Sequence, residues 1–302
     1  MATLLEVNSM GLIFSQVLAV GENAEKVTPE WLQAFILGIV QGITEFLPIS
    51  STAHLLIVTK VFAWKELGDK DFVDAIQFGS VIAILLYFRS LISSIVKGAI
   101  IAFKDQDWER EEWKIAVGIA VGTMPALIFG FLLKDTLPES ALIIGIMSVV
   151  MAILLGLAEK IGTRKRGFDS LQIRDGILVG LGQTLALIPG VSRSGSTLTT
   201  ALFLGLERDT AAKFSFLLGF PTLTIATLYK SLKIFSKFQE QQSLDNMVLL
   251  LVIGIVSTFI FSYLSIAFLI RYLQTKNTFV FVWYRLAFGS AILLAIANGW
   301  QG

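Results

Sequence analysis

Pro48-Ile49-Ser50-Ser51-Thr52-Ala53-His54 and Pro189-Gly190-Val191-Ser192-Arg193-Ser194-Gly195-Ser196-Thr197 are two proline-started, hydroxyl-rich tracts, each set in sequence apolar enough to be membrane. An ionisable group at bilayer depth costs kilocalories unless it is paired or faces a cavity, so Glu45, His54 and Arg193 read as parts of a buried polar site. The tracts also look duplicated. Gly38-Ile39-Val40-Gln41 precedes the first, Gly180-Leu181-Gly182-Gln183 precedes the second, and Phe72 to Gly79 and Phe214 to Gly219 follow at similar distances. Broken apolar segments in corresponding halves point to inverted repeats around a central site.

The surrounding composition agrees. Of 302 residues, 55% are hydrophobic and only 16% charged, and the mean hydropathy is +0.75, far above that of soluble domains of this size. The chain reads as an all-α polytopic integral membrane protein whose partner is the lipid bilayer. A net charge of +1 gives no basic field, so no nucleic acid partner is expected. Cysteine is absent, which removes disulfides, thiolate catalysis and Cys-ligated metals. The single histidine removes any mechanism that needs two, including that of the membrane phosphatases acting on phosphatidic acid.

Six apolar runs are candidate crossings: Phe72 to Phe88, Trp113 to Leu133, Leu142 to Ala158, Ile173 to Pro189, Met247 to Ile270 and Phe281 to Ala297. Trp31 to Thr59 is long but interrupted by Gln41, Glu45, Pro48 and His54. Val191 to Leu206 and Phe214 to Tyr229 are short, the latter broken by Pro221. About six transmembrane helices plus two re-entrant helix-loop-helix pairs follow. The loop Lys160 to Arg174, with Arg164, Lys165 and Arg166, is the most basic and is expected in the cytoplasm, together with Arg89 to Lys114. Met10 to Val20 is apolar, but Glu6 is the only charge before it, so residues 1–28 read as an extension rather than a cleaved signal. Residues 29–302 read as one membrane domain of two intertwined repeats, about 31–160 and about 173–300.

The first tract carries its own chemistry. Gln41 and Glu45 share a helical face, Pro48 should end that half-helix near Leu47, and Ser50, Ser51 and Thr52 fall where a new one begins. Free N–H groups and hydroxyls at a helix start make an anion pocket, and Ser51 and His54 are expected to share the next face. In the second tract Gly190 and Gly195 let the backbone curl. Ser192, Ser194, Ser196 and Thr197 add hydroxyls there, and Arg193 adds a fork suited to phosphate oxygens. Joining the two helix starts gives a phosphoryl-transfer site with Glu45 as base or metal ligand. Asp74 and Gln77 stand at the opening of a crossing where they could line the cavity, but Asp74 reads first as an interfacial residue and Gln77 as helix packing, and the glycines from Gly176 to Gly182 read as close helix packing.

Gln41-Gly42-Ile43-Thr44-Glu45-Phe46-Leu47-Pro48-Ile49-Ser50-Ser51-Thr52-Ala53-His54 and Pro189-Gly190-Val191-Ser192-Arg193-Ser194-Gly195 together resemble the undecaprenyl-pyrophosphate phosphatase family of bacteria, the bacitracin-resistance type. The resemblance runs from about Trp31 to the C-terminus. It implies hydrolysis of the C55 isoprenyl pyrophosphate to the monophosphate lipid carrier, for peptidoglycan and related envelope polymers. It also implies interdigitated inverted repeats in the bacterial inner membrane, a site opening toward the outer face, and a divalent cation, Mg²⁺ or Ca²⁺. A homodimer is left open.

Carried over by residue, the resemblance makes Glu45, Ser51, His54 and Arg193 catalytic. Ser50, Thr52, Ser192, Ser194, Gly195 and Thr197 would bind substrate phosphate, and Glu45 with Gln41 would meet the metal. Gln41 occupies a position that is Glu or Gln across the family, and as Gln it leaves a metal one anionic ligand short. Ala53 replaces a common glycine, which is expected to narrow the backbone's approach to phosphate. Ser51, His54 or a metal-bound water could attack, with Ser51 preferred. A competing function, an isoprenyl-phosphate lipid flippase or transporter with a midplane phosphate site, needs binding groups but no nucleophile.

Overall fold

The structure, a computed structural model, describes residues 28–64, 67, 70–133, 140–241 and 244–300. The expected extension, residues 1–28, therefore lies outside the described residues except for Thr28. The helices are α1 (Glu30–Phe46), α2 (Ser51–Val61), α3 (Lys70–Ile76), α4 (Phe78–Tyr87), α5 (Arg89–Asp105) and α6 (Glu111–Leu133). They continue as α7 (Ala141–Ile161), α8 (Ile173–Thr184), α9 (Arg193–Phe203), α10 (Arg208–Gln241), α11 (Leu244–Leu273) and α12 (Phe279–Ala297). Among the described residues the only β-pairing is an isolated bridge between Arg166 and Leu206.

Among the described residues five helices are long and apolar enough to cross a membrane, or six if the pair Asp71–Tyr87 and Arg89–Asp105, bent by 68°, counts as one span. Their outer faces carry Ile128, Phe131 and Leu132 on α6, Ile153 and Leu157 on α7, and Val252, Leu264 and Phe268 on α11, all exposed. Serine and threonine turn inward instead: Ser80, Ser148, Thr258 and Ser262 are fully buried, and Ser80 and Ser262 hydrogen-bond at 2.9 Å. Apolar outside and small or hydroxyl-bearing inside is the pattern of helices packing in lipid.

Two expectations about spans change. The run Ile173 to Pro189 is not a crossing: α8 ends at Thr184 after 12 residues, and a 3₁₀ turn at Leu185–Leu187 leads into Pro189. In its place α10 is one of the candidate spans, running straight through Pro221. A proline inside a helix forfeits one N–H bond, whereas an open break in lipid would strand several backbone groups, so continuity is the cheaper solution.

Helices α2 and α9 have 11 residues each, about 16 Å of rise, roughly half a hydrocarbon core. Each packs beside the helix before it, α1 or α8. Each such pair also lies along a spanning helix from the other half of the sequence. On α1, Gly38 and Gly42 sit against Gly254, Ser257 and Thr258 of α11, where an added Cβ would overlap neighbouring atoms. Ser257 Oγ and Ser265 Oγ donate across this seam to the Phe35 and Ile43 carbonyls, at 2.8 and 3.0 Å. On α8, Gly176 and Gly180 sit against Gly118 and Gly122 of α6, backbone on backbone. These glycines pack helices, as their setting implies, and the exchange interlocks the two halves so that their broken helices meet in the middle.

On the basic side, Arg166 forms a forked pair with Asp175 at 2.9 and 2.6 Å. Those hydrogen bonds hold its guanidinium above its ordinary range. Buried Glu159 gathers Arg208, Arg164 and the Thr278 hydroxyl, which ties α7, α10 and the start of α12 together.

Candidate active site

Both breaks are built alike. Pro48 cannot donate to a helix ladder, so α1 stops at Phe46 with Leu47 extended, and α2 restarts after Ser50 at φ 79°. The second break has Gly190 at φ 90° and α9 restarts after Ser192 at φ 73°. Two serines in a backbone region that favours glycine store about 1–3 kcal/mol each, strain of a kind that clusters at functional sites. The two starts differ in one respect. Ser192 Oγ accepts from Gly195 N at 3.1 Å and so caps α9, whereas the Ser50 side chain makes no cap and leaves the first N–H groups of α2 open.

Glu45 is the meeting point of four elements. Its Oε2 accepts from Gln41 Nε2 at 2.9 Å, Ser51 Oγ at 2.8 Å and Gln77 Nε2 at 3.3 Å. Its Oε1 accepts from Arg193 Nη2 at 2.9 Å. Glu45 is buried, and an unpaired carboxylate there would be expensive; the arginine across the molecule makes it tolerable. Arg193 keeps Nε and Nη1 buried without a hydrogen-bond partner among the described residues, donors suited to an incoming oxyanion. The Nη1 end of its guanidinium abuts Gly219 of α10, where a Cβ would overlap it. Gly219→Ala is therefore expected to displace Arg193 and cut turnover at least about tenfold, with little change in folded yield; steady-state kinetics of the purified variant check this.

A cavity of about 220 Å³ opens over this pair, lined by Glu45, Ser50, Ser51, Thr52, Gln77, Gln183, Pro189, Gly190, Ser192 and Arg193 among others. That is many times the ~10–15 Å³ one water needs. Ser50, Ser51, Thr52, Ser192, Arg193 and Glu45, all singled out in the sequence, thus face one space. Gln41 lines an adjoining cavity.

The others are placed elsewhere. Ser194 Oγ donates to the Leu47 carbonyl at 3.1 Å and so links the two breaks. Thr197 Oγ1 donates to the Arg193 carbonyl at 2.8 Å, back into its own helix. Gly195 lies beneath the Ser192 side chain. His54 does not share a face with Ser51: its Nδ1 bonds the Ser50 carbonyl at 2.7 Å and its Nε2 the Tyr284 hydroxyl at 2.6 Å. The ring stacks on Phe288 at 4.3 Å. A carbonyl can only accept, so Nδ1 carries the proton in that bond. Ala53 is buried against Ala141, Ile144 and Ile292, away from the cavity, so its methyl does not narrow the phosphate approach.

Two residues do more than the sequence reading gave them. Gln77, read as packing, sits between α3 and α4 and donates to Glu45. Arg285 of α12 is almost fully buried and donates to the carbonyls of Pro48 at 3.0 Å, Gly190 at 2.7 Å and Val191 at 3.1 Å, and to Ser148 at 3.3 Å. One guanidinium thus laces both breaks to α7. An arginine inside an apolar run was the signal for it.

Residues 34–291 match the family described as Bacitracin resistance protein BacA. The chain is 55% identical over 271 residues to an undecaprenyl-diphosphatase of Thermosynechococcus vestitus, covering 89% of this chain and 97% of that one. It is 48% identical to the protein of the same name in Synechococcus elongatus (88% and 93% covered) and 45% identical to that of a Synechocystis species (94% and 88% covered). With most of its length matched and its two hydroxyl tracts joined at one carboxylate, the chain belongs to the bacitracin resistance protein BacA family.

Proposed function

We propose that the protein is an undecaprenyl-diphosphatase: it hydrolyses undecaprenyl pyrophosphate to undecaprenyl phosphate and inorganic phosphate, returning the lipid carrier to envelope-polymer synthesis. The observation that carries this reading is the Ser51 Oγ hydrogen bond to Glu45 Oε2, beside an arginine with two unused donors. A transport site needs only the arginine and the open N–H groups; a hydroxyl seated on a carboxylate is a nucleophile with its base.

In this mechanism Ser51 Oγ attacks the terminal phosphorus and passes its proton to Glu45. The bridging oxygen leaves on the lipid monophosphate, which carries that proton away from Glu45, and a phosphoserine remains. Water, deprotonated by the freed Glu45 carboxylate, then displaces the serine, which takes the proton back from Glu45, and inorganic phosphate departs. Arg193 Nε and Nη1 take up charge on the transferring group, and the uncapped start of α2 faces the same oxygens. His54 acts as a positioning residue, holding the carbonyl of strained Ser50 and thereby the orientation of Ser51.

Glu45, the Gln41 amide and the Ser51 hydroxyl are hard oxygen donors, suited to Mg²⁺ or Ca²⁺. Among the described residues no group of three His, Cys, Asp or Glu is placed to hold an ion, so Glu45 and Gln41 would share it with substrate oxygens. When bound, the ion supplies charge neutralisation on the phosphates. Chelation by EDTA is accordingly expected to abolish turnover while shifting Tm by under about 2 °C without substrate; a scan in detergent with and without EDTA checks this.

The basic loop on the Glu159 side supports a cytoplasmic position for the start of α10. Lys230 lies 22 residues beyond Arg208, about 33 Å of rise and so near the opposite face. The site then opens outward from mid-bilayer, with α2 and α9 as re-entrant arms. Purified protein given a C55 or shorter isoprenyl pyrophosphate should release inorganic phosphate, and Ser51→Ala should lose at least about 10³-fold in rate. Lipid translocation in vesicles without phosphate release would favour the transporter instead.

A further inference from the structure

The active-site cavity adjoins a second one of about 210 Å³, and both are lined by Ser51, Thr52, Gln77 and Lys230. The second is otherwise walled by Gln41, Thr59 and Asp74 and by Leu55, Leu56 and Val73. It combines polar groups with the apolar surface a lipid chain needs. Among the described lining residues the only cations are Arg193 and Lys230, and Arg193 already pairs with Glu45. A lipid diphosphate carries more negative charge than one neutralised guanidinium can offset.

Lys230 is placed to supply the rest. It stands on α10 eleven residues beyond Gly219, the seat of Arg193, and helical side chains lean toward the helix N-terminus, here toward the inner cavity. Its Nζ donates to Asp74 Oδ1 at 2.6 Å across 156 positions of sequence. Both side chains are partly exposed, at 37% and 16%, and pairs of this kind are weak enough to exchange for a better anion.

Resting on the phosphatase reading, we infer that Lys230 binds the lipid-side phosphate of the diphosphate, leaving Asp74 to do so, while Arg193 and Ser51 hold the terminal phosphate. Lys230 is thus a specificity determinant for the diphosphate head, and Asp74 is the counter-ion that competes with substrate for it.

The test is the kinetics of phosphate release from an isoprenyl pyrophosphate by Lys230→Met, which keeps the aliphatic stem, with Lys230→Arg and Asp74→Asn in parallel. Lys230→Met should raise KM about tenfold or more and weaken inhibition by the lipid monophosphate, yet leave inhibition by inorganic phosphate within about twofold. Lys230→Arg should restore KM, and Asp74→Asn should lower it. A KM unchanged in Lys230→Met, or raised alike in Lys230→Met and Asp74→Asn, would reduce the pair to a structural tie and overturn the inference. Absence of phosphate release by the unmutated protein would instead overturn the phosphatase reading, and this inference with it.

Discussion

Glu45→Gln is expected to lower kcat about 10³-fold without raising KM. The amide keeps the size of the side chain and can still meet Gln41, Gln77 and Ser51, so substrate still enters a site of the same shape. It cannot take the proton of Ser51, and it no longer neutralises Arg193. A free guanidinium grips phosphate more tightly, so ground-state binding should hold or improve while the chemical step fails. Removing one partner of a buried ion pair also costs stability, about 3–5 kcal/mol where the other charge stays dry. Substrate phosphates restore a counter-charge, so Tm should recover on adding the monophosphate product. A kcat within tenfold of the unmutated protein would show that Glu45 is not the base.

Arg285→Met is expected to lose about 3–5 kcal/mol of stability, the largest effect of a single change away from the cavity. Methionine fills much of the space but donates nothing, and the carbonyls of Pro48, Gly190 and Val191 would then be buried without Arg285's donors. They belong to the residues that interrupt the helices, where no ladder bond substitutes. Arg285→Lys should fall between the two, because an ammonium is a compact donor that cannot span both breaks as a planar fork does. Thermal unfolding in detergent reads the difference. An unchanged Tm in Arg285→Met would mean that the breaks hold themselves.

What was legible in the sequence follows from which costs are local. Pro48 removes a donor from its own helix, so the end of α1 could be read from one residue. Glu45 and Arg193 are too expensive in lipid to be idle, so their pairing was implied before either had a position. The interlocked glycines of α8 were readable as packing for a similar reason, since nothing but a neighbouring backbone needs that much room.

What failed depended on partners distant in sequence or on register. Gln77 looks like any glutamine in a helix until Glu45, 32 positions away, is placed beside it. Arg285 is buried, and the break carbonyls it meets, those of Pro48, Gly190 and Val191, lie 94 or more positions away in sequence. Ser51 and His54 are three apart, about 60° round a helix, close enough to read as one face. The imidazole bonds the carbonyl four residues back and so swings toward Tyr284, away from the serine. Pro221 misled in the other direction, because the cost of breaking α10 in lipid outweighs the single bond it forfeits.

The central claim is that two broken helices from opposite halves of the chain close around one pyrophosphate, with Arg193 of the second completing the catalytic group of the first. Its most direct test is the rate of phosphate release from an isoprenyl pyrophosphate by purified, folded Arg193→Ala. A loss of at least about 10³-fold, with size-exclusion profile and helicity unchanged, is the predicted result. Turnover equal to that of the unmutated protein would contradict it.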